Sequence, residues 1–170
     1  MAYDLEIITA DSWKELIPLT DQVPELGKVE LITIHHTNSN PLHPLPEKVR
    51  LNNLLQFHIS DRGWNDIGYH FLISNKGQVF EGRNLSYQGA HVEGFNKGNI
   101  GIVVIGDYNI ERVRPRVSIV LRNLIEELLK QFNLKKDSVK GHRDFKEKLP
   151  GSCPGDFLYQ WIMEFRNEKE

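Results

Sequence analysis

The feature of the sequence that most constrains its fold is the alternation of short, β-branched apolar segments with longer amphipathic ones. The short segments have the continuous apolar character of buried strands, and they predict strands at residues 29–35, 99–105 and 138–141. The longer segments carry apolar side chains at helical spacing, and they predict helices at residues 47–60, 115–132 and 157–165. Strands that alternate with helices predict an α/β fold in which a central sheet is flanked by helices.

A β-hairpin is predicted between the first two helices. Its strands, residues 68–74 and 78–82, flank an Asn-Lys-Gly turn at residues 75–77, where glycine can adopt the positive φ that a tight turn needs. A hairpin is antiparallel, whereas strands joined through helices are usually parallel, so the sheet is predicted to be mixed. Residues 1–170 are long enough for one core and are predicted to form a single domain, with a rigid proline-rich loop at residues 41–46.

The balance of charges argues against a nucleic-acid-binding protein. The chain has 21 Lys and Arg against 23 Asp and Glu, a net charge of −2, whereas nucleic-acid binders carry a basic excess. The N-terminal residues lack the basic and apolar regions of a signal peptide, and no apolar run approaches the roughly 20 residues that cross a bilayer. We therefore expect a protein that is made in the cytoplasm and has no membrane or nucleic-acid partner. It is expected to be a monomer and to reach any external target by release or another delivery route.

Two adjacent histidines end the first predicted strand. Side chains alternate along a strand, so His35 and His36 point to opposite faces and only one of them can face a given site. Alternation alone does not decide which one it is. A histidine at a strand end is also common as a hydrogen-bonded structural residue.

The single cysteine, Cys153, excludes an intramolecular disulfide and any zinc finger that needs two or more cysteines. His142 ends the last predicted strand, and Cys153 follows eleven positions later in a loop. A histidine and a cysteine so placed can bind one ion, since catalytic zinc sites use three protein ligands and a water. Alternatively, Cys153 is a nucleophile with His142 or His35 as its base, although Pro154 removes one backbone N–H from any oxyanion hole there.

Two loops carry further candidates. Tyr69 begins a hairpin strand in which it is predicted to share a face with Phe71 and Ile73, and its hydroxyl can act over a site as a donor or proton relay. His91 lies in a glycine-flanked loop, where ligand-contacting residues are common. Alternatively, Tyr69 is only a packing residue, and His91 is only a solvent-exposed loop residue. The patterns around His58 indicate only a helix residue.

Four motifs occur in one order along the chain. They are ITIHHT at residues 32–37, RGWNDIGYHFLISNKGQVFEGR at 62–83, GAHVEGFNKGNIGIVVIGDY at 89–108, and GHRDF followed by SCPG at 141–155. Together they closely resemble the zinc-dependent N-acetylmuramoyl-L-alanine amidase family, which includes peptidoglycan recognition proteins and amidase-type phage lysozymes. Each motif alone is weak evidence, but four in order make a chance match very rare.

The resemblance implies a central mixed sheet flanked by helices, and hydrolysis of the amide between the lactyl group of N-acetylmuramic acid and L-alanine in peptidoglycan. It implies that His35, His142 and Cys153 are ligands of Zn²⁺, and it thereby selects His35 over His36. It also implies that Tyr69 assists catalysis. By the same resemblance, the peptidoglycan groove is lined by His36, Trp64, His91 and Asn96.

Elementary chemistry accounts for this ligand set. Two neutral imidazoles and one thiolate leave a zinc site at a net charge of +1, with a position for a water whose pKa falls to about 7. The oxyanion that forms from the scissile carbonyl needs a further donor, for which the Tyr69 hydroxyl is the candidate. One ligand histidine is expected to donate its second ring N–H to an acceptor, and Asp144 is a candidate for that acceptor.

The sequence departs from the family pattern in two places. The Lys or Thr that commonly stands two residues before the ligand cysteine is replaced by Gly151, so Ser152 or Lys148 is a candidate replacement donor. The Glu that cytoplasmic recycling amidases carry in the equivalent strand is absent, since Val103 and Val104 stand there. The chain therefore looks more like the tyrosine-using branch of recognition proteins and phage lysozymes.

The family allows two functions for such a chain. One is a zinc amidase that cleaves peptidoglycan, and the other is a peptidoglycan-binding module without activity. Inactive members typically lose the ligand cysteine, whereas Cys153 is present here. The resemblance therefore favours the enzyme.

Overall fold

A computed structural model describes residues 5–14, 23–40, 45–145 and 151–168. The loop predicted at residues 41–46 lies largely outside these ranges, and so does Lys148. Within the described ranges, no helix is both long and apolar enough to cross a membrane.

In the part of the chain that the structure describes, six strands form one mixed sheet. They are β1 (Ile7–Ile8), β2 (Leu31–His36), β3 (Phe71–Ile73), β4 (Val79–Glu81), β5 (Asn99–Val104) and β6 (Val139–Gly141). Their spatial order is β1-β4-β3-β5-β2-β6. The hairpin pair β3 and β4 is antiparallel and every other neighbouring pair is parallel, so the predicted mixed sheet is confirmed.

Helices cover both faces of this sheet. They are α1 (Glu47–Gln56), which continues into a π-helical turn at Phe57–Asp61, α2 (Pro115–Gln131) and α3 (Asp156–Asn167). Alternate residues of β5 enter different apolar clusters: Ile102 packs with α2 and α3, and Val103 packs with α1. Successive side chains of a strand point to opposite faces, so the two clusters lie on opposite sides of the sheet. The predicted α/β fold is confirmed, with the sheet between two helical layers.

Strand β2 positions its two terminal histidines. Ile32 and Ile34 are fully buried in the cluster beneath α2 and α3, so Thr33 and His35 point to the face covered by α1. β2 lies between β5 and β6 and is parallel to both. The carboxyl ends of parallel strands meet at one edge of a sheet, where α/β proteins usually bind ligands. His35 and His36 therefore lie at that edge.

The predicted hairpin is confirmed, but Tyr69 does not share a face with Phe71 and Ile73 as predicted. β3 begins only at Phe71, and the carbonyls of Tyr69 and His70 accept hydrogen bonds from two consecutive amides that follow β4. A regular antiparallel ladder bonds alternate residues, so these consecutive bonds interrupt the alternation of side chains. Tyr69 packs with Leu72 in the α1-side cluster, whereas Phe71 and Ile73 belong to the other cluster.

Strand β1 was not predicted from the sequence. It contributes only two residues, which pair in parallel with β4 at the sheet edge. The segment that follows is held by Trp13, whose indole Nε1 donates a hydrogen bond to the carbonyl of Glu81 at 2.8 Å. Two residues are too few to show an alternating pattern, and tertiary contacts therefore determine this strand.

A buried ion pair joins this N-terminal segment to the loop that leads to Tyr69. The Nζ atom of Lys14 lies 2.7 Å from each carboxylate oxygen of Asp66, and the side chains are 3% and 8% exposed. Arg83 donates to the backbone carbonyl of Asp66 at 3.0 Å. Loss of one partner of such a pair leaves the other charge buried and uncompensated. The pair therefore stabilises the loop only while both groups are present.

Replacement of Asp66 by alanine is expected to lower the free energy of unfolding by roughly 3–5 kcal/mol, because Lys14 would keep a buried, unpaired charge. Urea denaturation followed by circular dichroism measures this change. The matched control is Glu30→Ala, which breaks an ion pair with Lys28 whose side chains are 68% and 88% exposed, and which should leave stability nearly unchanged. Equal losses in the two variants would contradict the role given to the buried pair.

Candidate metal centre and active-site cavity

Two histidines and the cysteine converge at the carboxyl edge of the sheet. His35 lies in β2, His142 directly follows β6, and Cys153 lies in the loop before α3. Each offers one ligand atom, and the three atoms lie within 4.8 Å of one another. In the parallel ladder Ile34 pairs with Gly141, so the residues that follow them, His35 and His142, lie side by side. Their imidazole centroids are 4.6 Å apart.

The loop that carries Cys153 is held by the residue next to the second histidine. The amide of Arg143 donates to the carbonyl of Cys153 at 3.0 Å. Its guanidinium donates to the carbonyl of Ser152 and, at 2.8 Å, to the carboxylate of Asp156. These bonds join the loop to the turn that contains His142, so the two ligands are positioned together.

Gly151 supports the same loop through its backbone. Its amide donates to Asp156 at 3.1 Å, and its carbonyl accepts from the side chain of Asn109 at 2.9 Å. The residue has a φ of +75°, a conformation that side-chain-bearing residues rarely adopt. The position where the family commonly has Lys or Thr therefore has a backbone suited to glycine.

Burial favours the uncharged forms of the ligand groups. His35 is 1% exposed, and burial, together with the neighbouring histidines His91 and His142, lowers its pKa well below the usual value. Burial raises the pKa of the Cys153 thiol to about 12. The sulfur lies 3.7 Å from Nδ1 of His35. A divalent cation pairs with the thiolate and takes neutral imidazole as ligand, so nitrogen and sulfur donors at these distances fit Zn²⁺.

A further histidine, His91, lies behind His35. Nε2 of His35 and Nδ1 of His91 are 3.0 Å apart, and Nε2 of His91 is 3.1 Å from the backbone carbonyl oxygen of Asn99. The side chain is buried, and this burial lowers the pKa of His91 to about 3. The residue predicted to line the groove thus also contacts a candidate ligand.

Asp144, the predicted acceptor for a ligand histidine, has its carboxylate directed toward α3. It accepts a hydrogen bond from the Tyr159 hydroxyl at 2.6 Å and from the amide of Gly141 at 2.9 Å. These contacts hold the end of β6 against α3. At the second ring nitrogen of His35 the neighbour is His91, not Asp144.

A cavity of about 680 Å³ opens at the three candidate ligands, and all eight site residues predicted from the sequence line it. Its other walls come mainly from the end of α1, the π-helical turn, the loop around Trp64 and the loop at residues 90–96. The ring of Tyr69 lies 5.2 Å from that of His35, measured between centroids. Burial raises the pKa of Tyr69, so its hydroxyl keeps its proton at neutral pH and can donate a hydrogen bond.

Two of the predicted groove residues also brace the backbone. Nδ1 of His36 accepts a hydrogen bond from the amide of Tyr108 at 3.2 Å, on the strand face opposite His35. The Asn96 side-chain oxygen accepts from the amides of His91 and the residue after it, both at 2.9 Å. Both residues therefore fix the position of loops at the cavity.

His58 was not predicted as a site residue, yet it lines the cavity. It is buried, and its ring centroid lies 4.6 Å from that of Trp64 and 5.6 Å from that of Tyr69. The signal in the sequence was its spacing, since His58 follows Leu51 and Leu55 on the buried face of the helix. Spacing alone indicates only a helix residue at this position.

The fold and this His-His-Cys cavity define an amidase-like α/β protein. The profile of the family described as N-acetylmuramoyl-L-alanine amidase matches residues 25–156, so the chain belongs to this family and the resemblance seen in the sequence is confirmed.

Relatives of known structure or sequence agree with this assignment. A peptidoglycan recognition protein of Trichoplusia ni is 30% identical over 165 residues, which cover 95% of this chain and 88% of the relative. The crystal structure of Drosophila peptidoglycan recognition protein SD superposes with a TM-score of 0.83 at 27% identity, covering 98% of both chains. The N-acetylmuramoyl-L-alanine amidase LysC from Clostridium intestinale URNW superposes with a TM-score of 0.76 at 27% identity, covering 96% of this chain and 99% of that one.

Proposed function

We propose that this protein is a zinc-dependent amidase that hydrolyses the bond between N-acetylmuramic acid and L-alanine in peptidoglycan. The observation that carries the proposal is the convergence of His35, His142 and Cys153 within 4.8 Å in the lining of one cavity. Three such ligands leave a coordination position for water, as catalytic zinc sites require. Membership of the amidase family supports this choice of substrate and bond.

The residues of the cavity have separate tasks in this reaction. His35, His142 and Cys153 would hold zinc, which when bound supplies a Lewis acid and lowers the pKa of water to about 7. The Tyr69 hydroxyl donates a hydrogen bond to the scissile carbonyl oxygen as negative charge develops on it. The paired rings of Trp64 and His58 form a wall that orients the junction of sugar and peptide.

The alternative of a cysteine nucleophile has less support. The thiolate is the nucleophilic form, and burial raises the pKa of Cys153 to about 12. Pro154 follows directly and has no N–H to offer an oxyanion. A thiolate at this position is best stabilised by a bound cation, which makes the sulfur a ligand.

Removal of the metal is expected to abolish hydrolysis, and added Zn²⁺ is expected to restore it, because the ion supplies the Lewis acid. The measurements are zinc content by mass spectrometry and the appearance of new L-alanine amino termini from purified peptidoglycan, before and after dialysis against 1,10-phenanthroline. Activity that resists the chelator but is lost on thiol alkylation would favour the cysteine nucleophile. Substrates with diaminopimelate and with lysine peptide stems, assayed in parallel, define the stem preference.

The second candidate function is a peptidoglycan-binding module without activity, and one observation favours it. Gly151 offers no side chain where Lys or Thr is common, so a donor to the transition state is absent at that position. A zinc-loaded protein that sediments with cell walls but releases no L-alanine amino termini would support this module and refute the amidase.

A further inference from the structure

The hydrogen bonds behind His35 have a defined direction. The carbonyl oxygen of Asn99 can only accept, so Nε2 of His91, 3.1 Å away, carries a proton and donates it. A neutral imidazole has one ring proton, so Nδ1 of His91 is an acceptor. Its neighbour at 3.0 Å is Nε2 of His35, which must therefore be the donor. His35 is left with an unprotonated Nδ1, the atom that lies 3.7 Å from the sulfur of Cys153.

His91 is buried beside a further histidine, His70. The side chain is 8% exposed, and the ring of His70 lies 5.9 Å from it between centroids. A protonated ring would offer donors at both nitrogens and could not accept the proton of His35. For a neutral ring, the direction of the hydrogen bonds from His35 to His91 to Asn99 therefore follows from the positions of the nitrogens and the carbonyl oxygen.

The ring of His91 is also held in place by its packing. A Cβ atom on Gly101 would lie 2.6 Å from Cδ2 of His91, and a Cβ atom on Gly89 would lie 2.4 Å from the same atom. The imidazole thus lies directly on the backbone of two glycines, while Asn96 holds its amide at 2.9 Å. Such contacts leave the ring little room to turn, so its two hydrogen bonds are fixed.

We propose that His91 is a positioning residue that selects the tautomer of His35 in which Nδ1 is free to bind zinc. This inference rests on the proposed metal centre. A ligand histidine commonly donates its other N–H to a carboxylate or carbonyl, which orients the ring and raises its basicity. Here a second histidine takes that place and passes the bond on to the backbone of β5.

The first test reads the two tautomers directly and needs no metal. Long-range ¹H–¹⁵N correlation spectra of the metal-free protein distinguish the two neutral tautomers of each histidine, with assignment by single histidine substitutions. We expect His35 and His91 both to carry their proton on Nε2. A His35 that carries its proton mainly on Nδ1 overturns the proposal.

The second test measures zinc affinity by competition with a chromogenic chelator. His91→Phe keeps a flat ring but removes both nitrogens, and it is expected to weaken zinc binding by about 10–100-fold and to give His35 a mixture of tautomers. His91→Asn, whose side-chain oxygen can accept from His35, is expected to recover part of this loss. Trp161→Phe, which alters a half-buried ring of α3 outside the cavity, should keep the affinity. Unchanged affinity in His91→Phe overturns the proposal.

The two proposals fail separately, because tautomer and zinc affinity are measured without substrate. A protein with the expected tautomer and affinities that releases no L-alanine amino termini keeps the positioning role and loses the amidase function. A zinc-dependent amidase whose affinity does not respond to His91→Phe keeps the function and loses the positioning role.

Discussion

Replacement of Cys153 by alanine is expected to remove zinc and to lower peptidoglycan hydrolysis by more than about 10³-fold, because two imidazoles remain and the Lewis acid is lost. The fold should persist, since the backbone carbonyl of Cys153, and not its sulfur, accepts the bond from Arg143. Zinc per chain, the rate of release of L-alanine amino termini and the thermal unfolding midpoint together measure the three parts of this result.

A matched control removes a side chain that is also capable of binding metal but lies far from the cavity. Glu127→Ala takes away an exposed carboxylate of α2 and should leave zinc content and rate unchanged. A Cys153→Ala protein that still binds zinc and still hydrolyses peptidoglycan would show that the ligand assignment is wrong.

Replacement of Tyr69 by phenylalanine is expected to leave zinc bound and to lower kcat by about 10²–10³-fold, the usual effect of losing one oxyanion donor. The aromatic ring and its contacts with His35 and His58 are retained, so the loss is confined to the hydroxyl. Steady-state kinetics on a soluble muropeptide separate kcat from KM. A donor that acts mainly in the transition state affects kcat far more than KM.

Tyr87→Phe is the matched control for this hydroxyl. Tyr87 accepts a hydrogen bond from His70 through its backbone carbonyl, which the substitution retains, and it does not line the cavity. The rate of hydrolysis by the Tyr87→Phe variant should equal that of the unaltered protein. An unchanged kcat in Tyr69→Phe would reduce Tyr69 to a packing residue.

The fold was predictable where burial imposes a period on the sequence. The β-branched run of β2 and the helical stripe of α2, which begins at Pro115, both appear within a few residues of their predicted ends. β1 was missed because pairing with β4, rather than any pattern of its own, makes it a strand. The prediction that Tyr69 shares a face with Phe71 and Ile73 was wrong, because two consecutive backbone hydrogen bonds shift the alternation of side chains there. The sequence carries no signal for that shift.

The residues that line the cavity were predictable as a set, but their arrangement was not. Alternation along β2 left His35 and His36 equivalent, and the family resemblance was needed to choose between them. The structure adds a physical reason, since the register of β2 with β6 makes His35 the neighbour of His142. The position of His91 behind His35 depends on close approach to Gly101, which spacing along the chain does not reveal.

The candidate ligands and the cavity walls come from different parts of the chain. His35 and His142 follow from the pairing of β2 with β6, and the Arg143 clamp adds Cys153. The walls come largely from the end of α1, its π-helical extension, the loop around Trp64 and the loop at residues 90–96. Substitutions in the part of the wall formed by α1 and the π-helical turn remove no strand pairing and no bond of the clamp. In evolutionary terms, the helical part of the cavity wall can therefore vary within a lineage while the ligand geometry is inherited intact.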